Sequence, residues 1–214
     1  MNAGDLARRS RAVRAVARMV HARRRRAGSG RAPSGPGRPP DFVGVGVQRA
    51  GTTRWFELVV AHPGAGPGAD GRKERHFFDR FWHEPWTCTS AAEYHRAFPA
   101  SDPRCLGEWT PRYCFDPWVP ELLVAAAPDA KVLLILRDPL ARLVSGLGQV
   151  PSFRRAVDPA RVTEAFARGL YSDQVERLLG HVDRSRLLVL QHESCTLDPA
   201  GQLARTYAHL GLEP

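Results

Sequence analysis

The residues best placed by type and spacing to do chemistry lie in DFVGVGVQRAGTTRW, Asp41 to Trp55, where an apolar run ends in a glycine-containing turn. Against the nucleotide-loop pattern G-x-x-x-x-G-K-[ST], Gly46 and Gly51 fall in register and Thr53 holds the hydroxyl position. Thr52 stands where the lysine belongs, and Arg49 brings a cation three residues earlier. Glycines let backbone N–H groups approach an anion, and a helix opening near Thr52 adds its positive end. The loop reads as a phosphate cradle without its usual lysine, which argues against ATP with magnesium. Two further clusters carry reactive groups: Glu74, His76 and Asp79 in KERHFFD, and Arg137 with Ser145, eight residues apart, after the run KVLLIL. A positioned carboxylate or histidine can take the proton of an attacking hydroxyl or amine. Taken alone, Glu74 reads sooner as a solvated charge between Lys73 and Arg75, and Arg137 as an ordinary ion-pair partner of Asp138 or another carboxylate.

Alternating strands and helices must position these groups. Phe42 to Val47 reads as a buried strand and Thr52 to Ala61 as the helix after the loop, closed by His62-Pro63-Gly64. Lys73 to Phe78 reads as a short strand or extended segment, which would put Glu74 and His76 on one face. Helices are expected over Ala91 to Phe98, Val119 to Ala127 and Leu140 to Gln149, then near residues 162–169 and 173–182. Lys131 to Leu136 is the clearest core strand, Arg186 to His192 another, and Ala200 to His209 the last helix. Apolar strands separated by helices predict an α/β, P-loop-like three-layer fold with a central parallel sheet flanked by helices. Ligands of such sheets bind at the carboxyl ends of the strands, where Arg49 and Arg137 both fall.

The chain's 214 residues, 43% hydrophobic, suffice for one domain with a full core. Its charge is unevenly placed: residues 1–40 hold eleven arginines against the single acid Asp5, a net of +10, which leaves about −1 of the total +9 for the rest. Residues 1–40 therefore read as a basic, arginine-rich, disordered tail, with a basic helix conceivable up to Arg26 and a Gly/Pro linker after it. Any nucleic-acid role would rest on that tail alone. No stretch approaches the ~20 apolar residues of a membrane span, and the start lacks the apolar region of a signal peptide, which together read as a cytoplasmic chain. Cys88, Cys105, Cys114 and Cys195 form no C-x-x-C pair and have no histidine at zinc spacing, so they read as free, mostly packed thiols.

Four blocks in order carry a resemblance: Phe42 to Pro63, Lys73 to Asp79, GEWTPRY from Gly107 to Tyr113, and VLLILRDPLARLVSG from Val132 to Gly146. Together they resemble the sulfotransferases that use 3'-phosphoadenosine 5'-phosphosulfate (PAPS), in particular the heparan sulfate N- and 3-O-sulfotransferase branch and its bacterial relatives. The likeness runs from about residue 42 to 212 and makes residues 41–214 the sulfotransferase domain. It implies sulfuryl transfer to a hydroxyl or amine of a carbohydrate or small-molecule acceptor, with PAPS as co-substrate and no metal. It also implies that Gln48, Arg49, Ala50, Gly51, Thr52 and Thr53 hold the 5'-phosphosulfate, and that Arg137 and Ser145 hold the 3'-phosphate. Glu74 matches the catalytic glutamate and His76 a second active-site residue, while Asp79 would hold the acceptor or orient a basic group. Two departures stand out. Trp109 replaces a lysine that reaches the active site in the branch, an exchange that suits stacking on a sugar, and the resemblance implies a further segment after Pro214 that closes over the adenosine. A P-loop kinase or NTPase would need a lysine at Thr52; an inactive interaction protein would work through the basic tail.

Overall fold

The computed structural model describes residues 36–148 and 159–213. Five strands form one parallel sheet: β1 (Phe42–Gly46), β2 (Ala65–Pro67), β3 (Cys105–Trp109), β4 (Lys131–Leu136) and β5 (Leu187–Gln191), in the order β2-β3-β1-β4-β5. Every residue of β1 is buried, as expected of a strand covered on both faces. The chain leaves β1 toward β2 and β3 and returns to the other side with β4, so the strand order reverses at the carboxyl end of β1. An open α/β sheet forms its ligand crevice at that point. The helices are α1 (Thr52–Val60), α2 (Ser90–His95), α3 (Val119–Ala126), α4 (Pro139–Leu147), α5 (Pro159–Ala167), α6 (Tyr171–Leu179), α7 (His192–Leu197) and α8 (Pro199–Leu210). α8 is tied to α1, since Trp55 Nε1 donates to Thr206 Oγ1 (3.2 Å) and the Tyr207 hydroxyl donates to the Leu58 carbonyl (3.0 Å).

The expected P-loop-like, three-layer parallel architecture is what the chain adopts. Lys131–Leu136 is a strand end to end, and the helix after the loop ends one residue early. The segment Lys73 to Phe78 departs from expectation. The N–H of Arg75 donates to Glu108 Oε2 (3.1 Å) and Thr110 Oγ1 (3.0 Å), side-chain acceptors that replace a neighbouring strand, and Phe77–Trp82 then forms a 3-10 helix. The expected last helix is α8, which starts one residue earlier, at Pro199, where Asp198 caps it by accepting from the Gly201 N–H (3.1 Å). β2, β3 and α7 were not anticipated; β3 is CLGEW, whose Gly and Glu hide a strand buried by its neighbours. The expected basic helix and the linker up to residue 35 lie outside the described residues, as does Gln149, the expected end of the helix after β4. At the linker's end, Gly37 bridges to Pro99 and Arg38 pairs with Asp41 (2.7 Å), so these residues pack on the domain.

Candidate functional site

Five residues, 47–51, join β1 to α1. Arg49 (φ 71°) and Gly51 (φ 78°) both take the left-handed conformation, which bends the backbone so that successive N–H groups can converge as an anion nest. The two anion clusters read from the sequence are one site: Arg49 Nε donates to Ser145 Oγ (3.1 Å), and Arg137 Nη1 donates to the Arg49 carbonyl (2.8 Å). No carboxylate lies within ion-pair distance of either guanidinium among the described residues. Asp138, the alternative partner for Arg137, instead caps α4 by accepting from the Ala141 N–H (2.7 Å). The loop is braced from behind, where His192 Nδ1 donates to the Ala50 carbonyl (3.0 Å). Thr52 is buried, Thr53 is exposed, and Gln48 is half-buried over a small cavity that Arg142, Arg168 and Gln174 also line. Arg142 donates to the Ala165 carbonyl and so holds α5 against α4.

The acid–base residues also meet. His76 Nε2 lies 3.2 Å from Glu74 Oε2 and His76 Nδ1 lies 2.8 Å from Asp79 Oδ2, a carboxylate–imidazole–carboxylate chain. Lys73 Nζ donates to the other Glu74 oxygen, Oε1, at 2.6 Å. A wholly buried carboxylate sets this segment in place. Glu108 on β3 accepts at Oε1 from the hydroxyls of Tyr94 (2.8 Å) and Tyr113 (3.1 Å), and at Oε2 from Thr110 (2.6 Å) and the Arg75 N–H. Burial pushes the Glu108 carboxyl above the usual range, opposed by its hydrogen bonds from Thr110, Tyr94 and Arg75. Thr110 Oγ1 also accepts from the His76 N–H (3.3 Å), so the end of β3 directly shapes the turn at His76 (φ 52°).

Trp109 does not serve as an acceptor platform. Its side chain is fully buried, opposite Gly44 in register, and its Nε1 donates to the Gly46 carbonyl (3.1 Å). A Cβ on Gly44 would fall 2.0 Å from Trp109 Cδ2, so the glycine at position 44 is what lets the indole into the sheet. An exposed aromatic sits instead on the 3-10 helix: Trp82 is 72% exposed, with its ring 5.0 Å from that of Trp118. Residues three apart eclipse on a 3-10 helix, so Trp82 shares a face with Asp79. That spacing was legible in the sequence once the helix type was known. Lys73, buried beside Thr52 and Glu74, was missed because it reads as one charge in a charged run.

The Sulfotransferase family matches residues 117–213, which take in β4, Arg137 and Ser145. Human heparan sulfate glucosamine 3-O-sulfotransferase 6 is 31% identical over 196 residues, covering 84% of this chain and 55% of that protein. A sulfotransferase from Alicyclobacillus acidocaldarius superposes with a TM-score of 0.68 at 26% identity, covering 81% of each chain. The chain belongs to the sulfotransferase family. It spans about half the length of the curated relatives that it matches. Among more distant solved structures, mouse sulfotransferase SULT7A1 complexed with PAP shares the fold at TM-score 0.53 and 17% identity, covering 84% of this chain and 61% of that one. The comparison overturns one expectation for this sulfotransferase-family chain, its cytoplasmic location: the similar heparan sulfate 3-O-sulfotransferases are Golgi-lumenal enzymes. Among the described residues no helix is long and apolar enough to cross a membrane.

Proposed function

We propose that the chain transfers a sulfuryl group from PAPS to a hydroxyl of a carbohydrate acceptor. One observation carries this reading: Arg49, Arg137 and Ser145, from three separate segments, converge at the mouth of the glycine loop, with neither guanidinium in a salt bridge among the described residues. PAPS is anionic at both ends. The nest at 48–53 with the start of α1 suits its phosphosulfate, and Arg137 with Ser145 suits its 3'-phosphate. A transferring sulfuryl group carries less negative charge than a phosphoryl group, so side-chain cations and backbone donors can neutralise its transition state. The human relative's name supports a glucosamine hydroxyl as acceptor, and PAP in the mouse structure supports the donor.

PAPS supplies an activated sulfur–oxygen bond. Glu74 takes the acceptor's proton as the acceptor oxygen bonds to sulfur, and the bond from sulfur to the bridging oxygen breaks in line. Its electron pair leaves with PAP. Arg49, which keeps its charge but is a planar fork, clamps that leaving phosphate electrostatically. Asp79 orients His76, and His76 orients Glu74 Oε2. Trp82, on the Asp79 face, offers the apolar side of a pyranose a stacking surface.

The test is incubation with PAPS and glucosamine-containing heparan oligosaccharides, read by mass spectrometry for one added sulfuryl group per PAP released. Sulfated product from the wild type and at least ~10²-fold less from Glu74→Gln are expected. A folded chain that releases no PAP with these or other sugar acceptors contradicts the proposal.

A further inference from the structure

The loop lacks a lysine at Thr52, and the block Glu108-Trp109-Thr110-Pro111 lacks one at Trp109. A buried ammonium reaches the same place from a third segment. The Lys73 side chain is only 8% exposed, and its Nζ lies 3.2 Å from Thr52 Oγ1 and 2.6 Å from Glu74 Oε1. The Trp109 N–H donates to the Lys73 carbonyl (2.7 Å), so the tryptophan at the second lysine-less position fixes the backbone of the lysine that is present. An ammonium has three donors and no acceptor, so the Thr52 oxygen must accept from it. The Thr52 hydrogen is thereby directed away from Lys73 and is free to serve an anion in the loop. The same ammonium pins one oxygen of Glu74, while His76 approaches the other.

We propose that Lys73 is the positioning residue that couples the donor loop to the acceptor base, setting the Thr52 hydroxyl on one side and the Glu74 carboxylate on the other. The inference rests on the sulfotransferase reading. Burial pulls the Lys73 ammonium below the usual lysine range; the Glu74 hydrogen bond and the charges of Glu74, Glu108 and Glu57 oppose the shift. These three carboxylates, from its own segment, β3 and α1, are the charged groups that face it among the described residues. Loss of the ammonium proton at alkaline pH releases Thr52 and Glu74 together, so turnover falls there while the loop arginines keep their charge.

The experiment compares wild type, Lys73→Met and Lys73→Arg by PAP titration and by kcat at saturating PAPS from neutral to strongly alkaline pH. Lys73→Met should lose kcat on the order of 10²-fold, the effect of a misplaced catalytic group. Its PAP affinity should fall by no more than about tenfold, the worth of one hydrogen bond. Lys73→Arg should retain more activity and lose the alkaline descent, because a guanidinium does not deprotonate in that range. Should Lys73→Met fail to fold, the alkaline limb of Lys73→Arg decides alone. Wild-type kcat in Lys73→Met, or an unmoved alkaline limb in Lys73→Arg, overturns the inference and leaves the sulfotransferase reading standing. A wild type that binds no PAP overturns that reading and this inference with it.

Discussion

Glu74 has both oxygens engaged, Oε1 by Lys73 and Oε2 by His76, and such a carboxylate is oriented before any acceptor arrives. Its replacement by glutamine keeps the shape but removes the lone pair that takes a proton, so Glu74→Gln should bind PAP as the wild type does and fail in turnover. Calorimetry beside a transfer assay separates the two readouts, and equal loss in both would remove Glu74 from the role of base. Trp82 makes a different demand. If its exposed face carries the acceptor, Trp82→Ala should raise the acceptor KM roughly 5- to 150-fold, the ~1–3 kcal/mol of a stacked ring, with the KM for PAPS unmoved. Initial rates with each substrate varied in turn would reveal an effect on PAPS instead, which would relocate the acceptor site.

At the level of elements, the site depends on the end of β3. Glu108→Gln exchanges an oxygen that accepts from Thr110 and Arg75 for an amide that can only donate, so the buried Thr110 hydroxyl loses its acceptor and the Arg75 N–H keeps only Thr110 Oγ1. A loss of about 3 kcal/mol in unfolding free energy is expected from urea titration. A shift under ~0.5 kcal/mol would mean that the Glu108 network carries little of the fold. Gly44→Ala should also destabilise, since its Cβ would enter the Trp109 ring, and a raised melting temperature would contradict the packing described here. How much of this was legible varies by element. β1, β4 and the parallel architecture were readable because apolar runs between helices leave few alternatives, and the loop residues were readable because glycine and arginine spacing reports backbone geometry. Trp109 was misread because nothing local in GEWTPRY tells that Gly44, in another strand, opens a slot for the ring. Lys73 was overlooked for a related reason: its burial comes from Thr52 and Glu108 across the sheet end, not from its charged neighbours in sequence.

For the whole molecule, the four cysteines probe how the domain is closed. Cys88 is exposed, whereas burial pushes Cys105 and Cys114 up to about 12 and Cys195 up to about 11. A thiol reagent at neutral pH should therefore label one site quickly in the native protein and the remaining three only after unfolding; fast labelling of several would show that the core opens under native conditions. The glycine loop and the two arginines should together hold a nucleotide that is anionic at both ends. Calorimetric titration of the chain with PAP, run beside ATP plus Mg²⁺ and repeated with Arg137→Ala, tests it most directly. PAP should bind on the order of micromolar, ATP much more weakly, and Arg137→Ala should lose at least about tenfold in PAP affinity. ATP binding as tight as PAP binding, or a PAP affinity indifferent to Arg137→Ala, would contradict it.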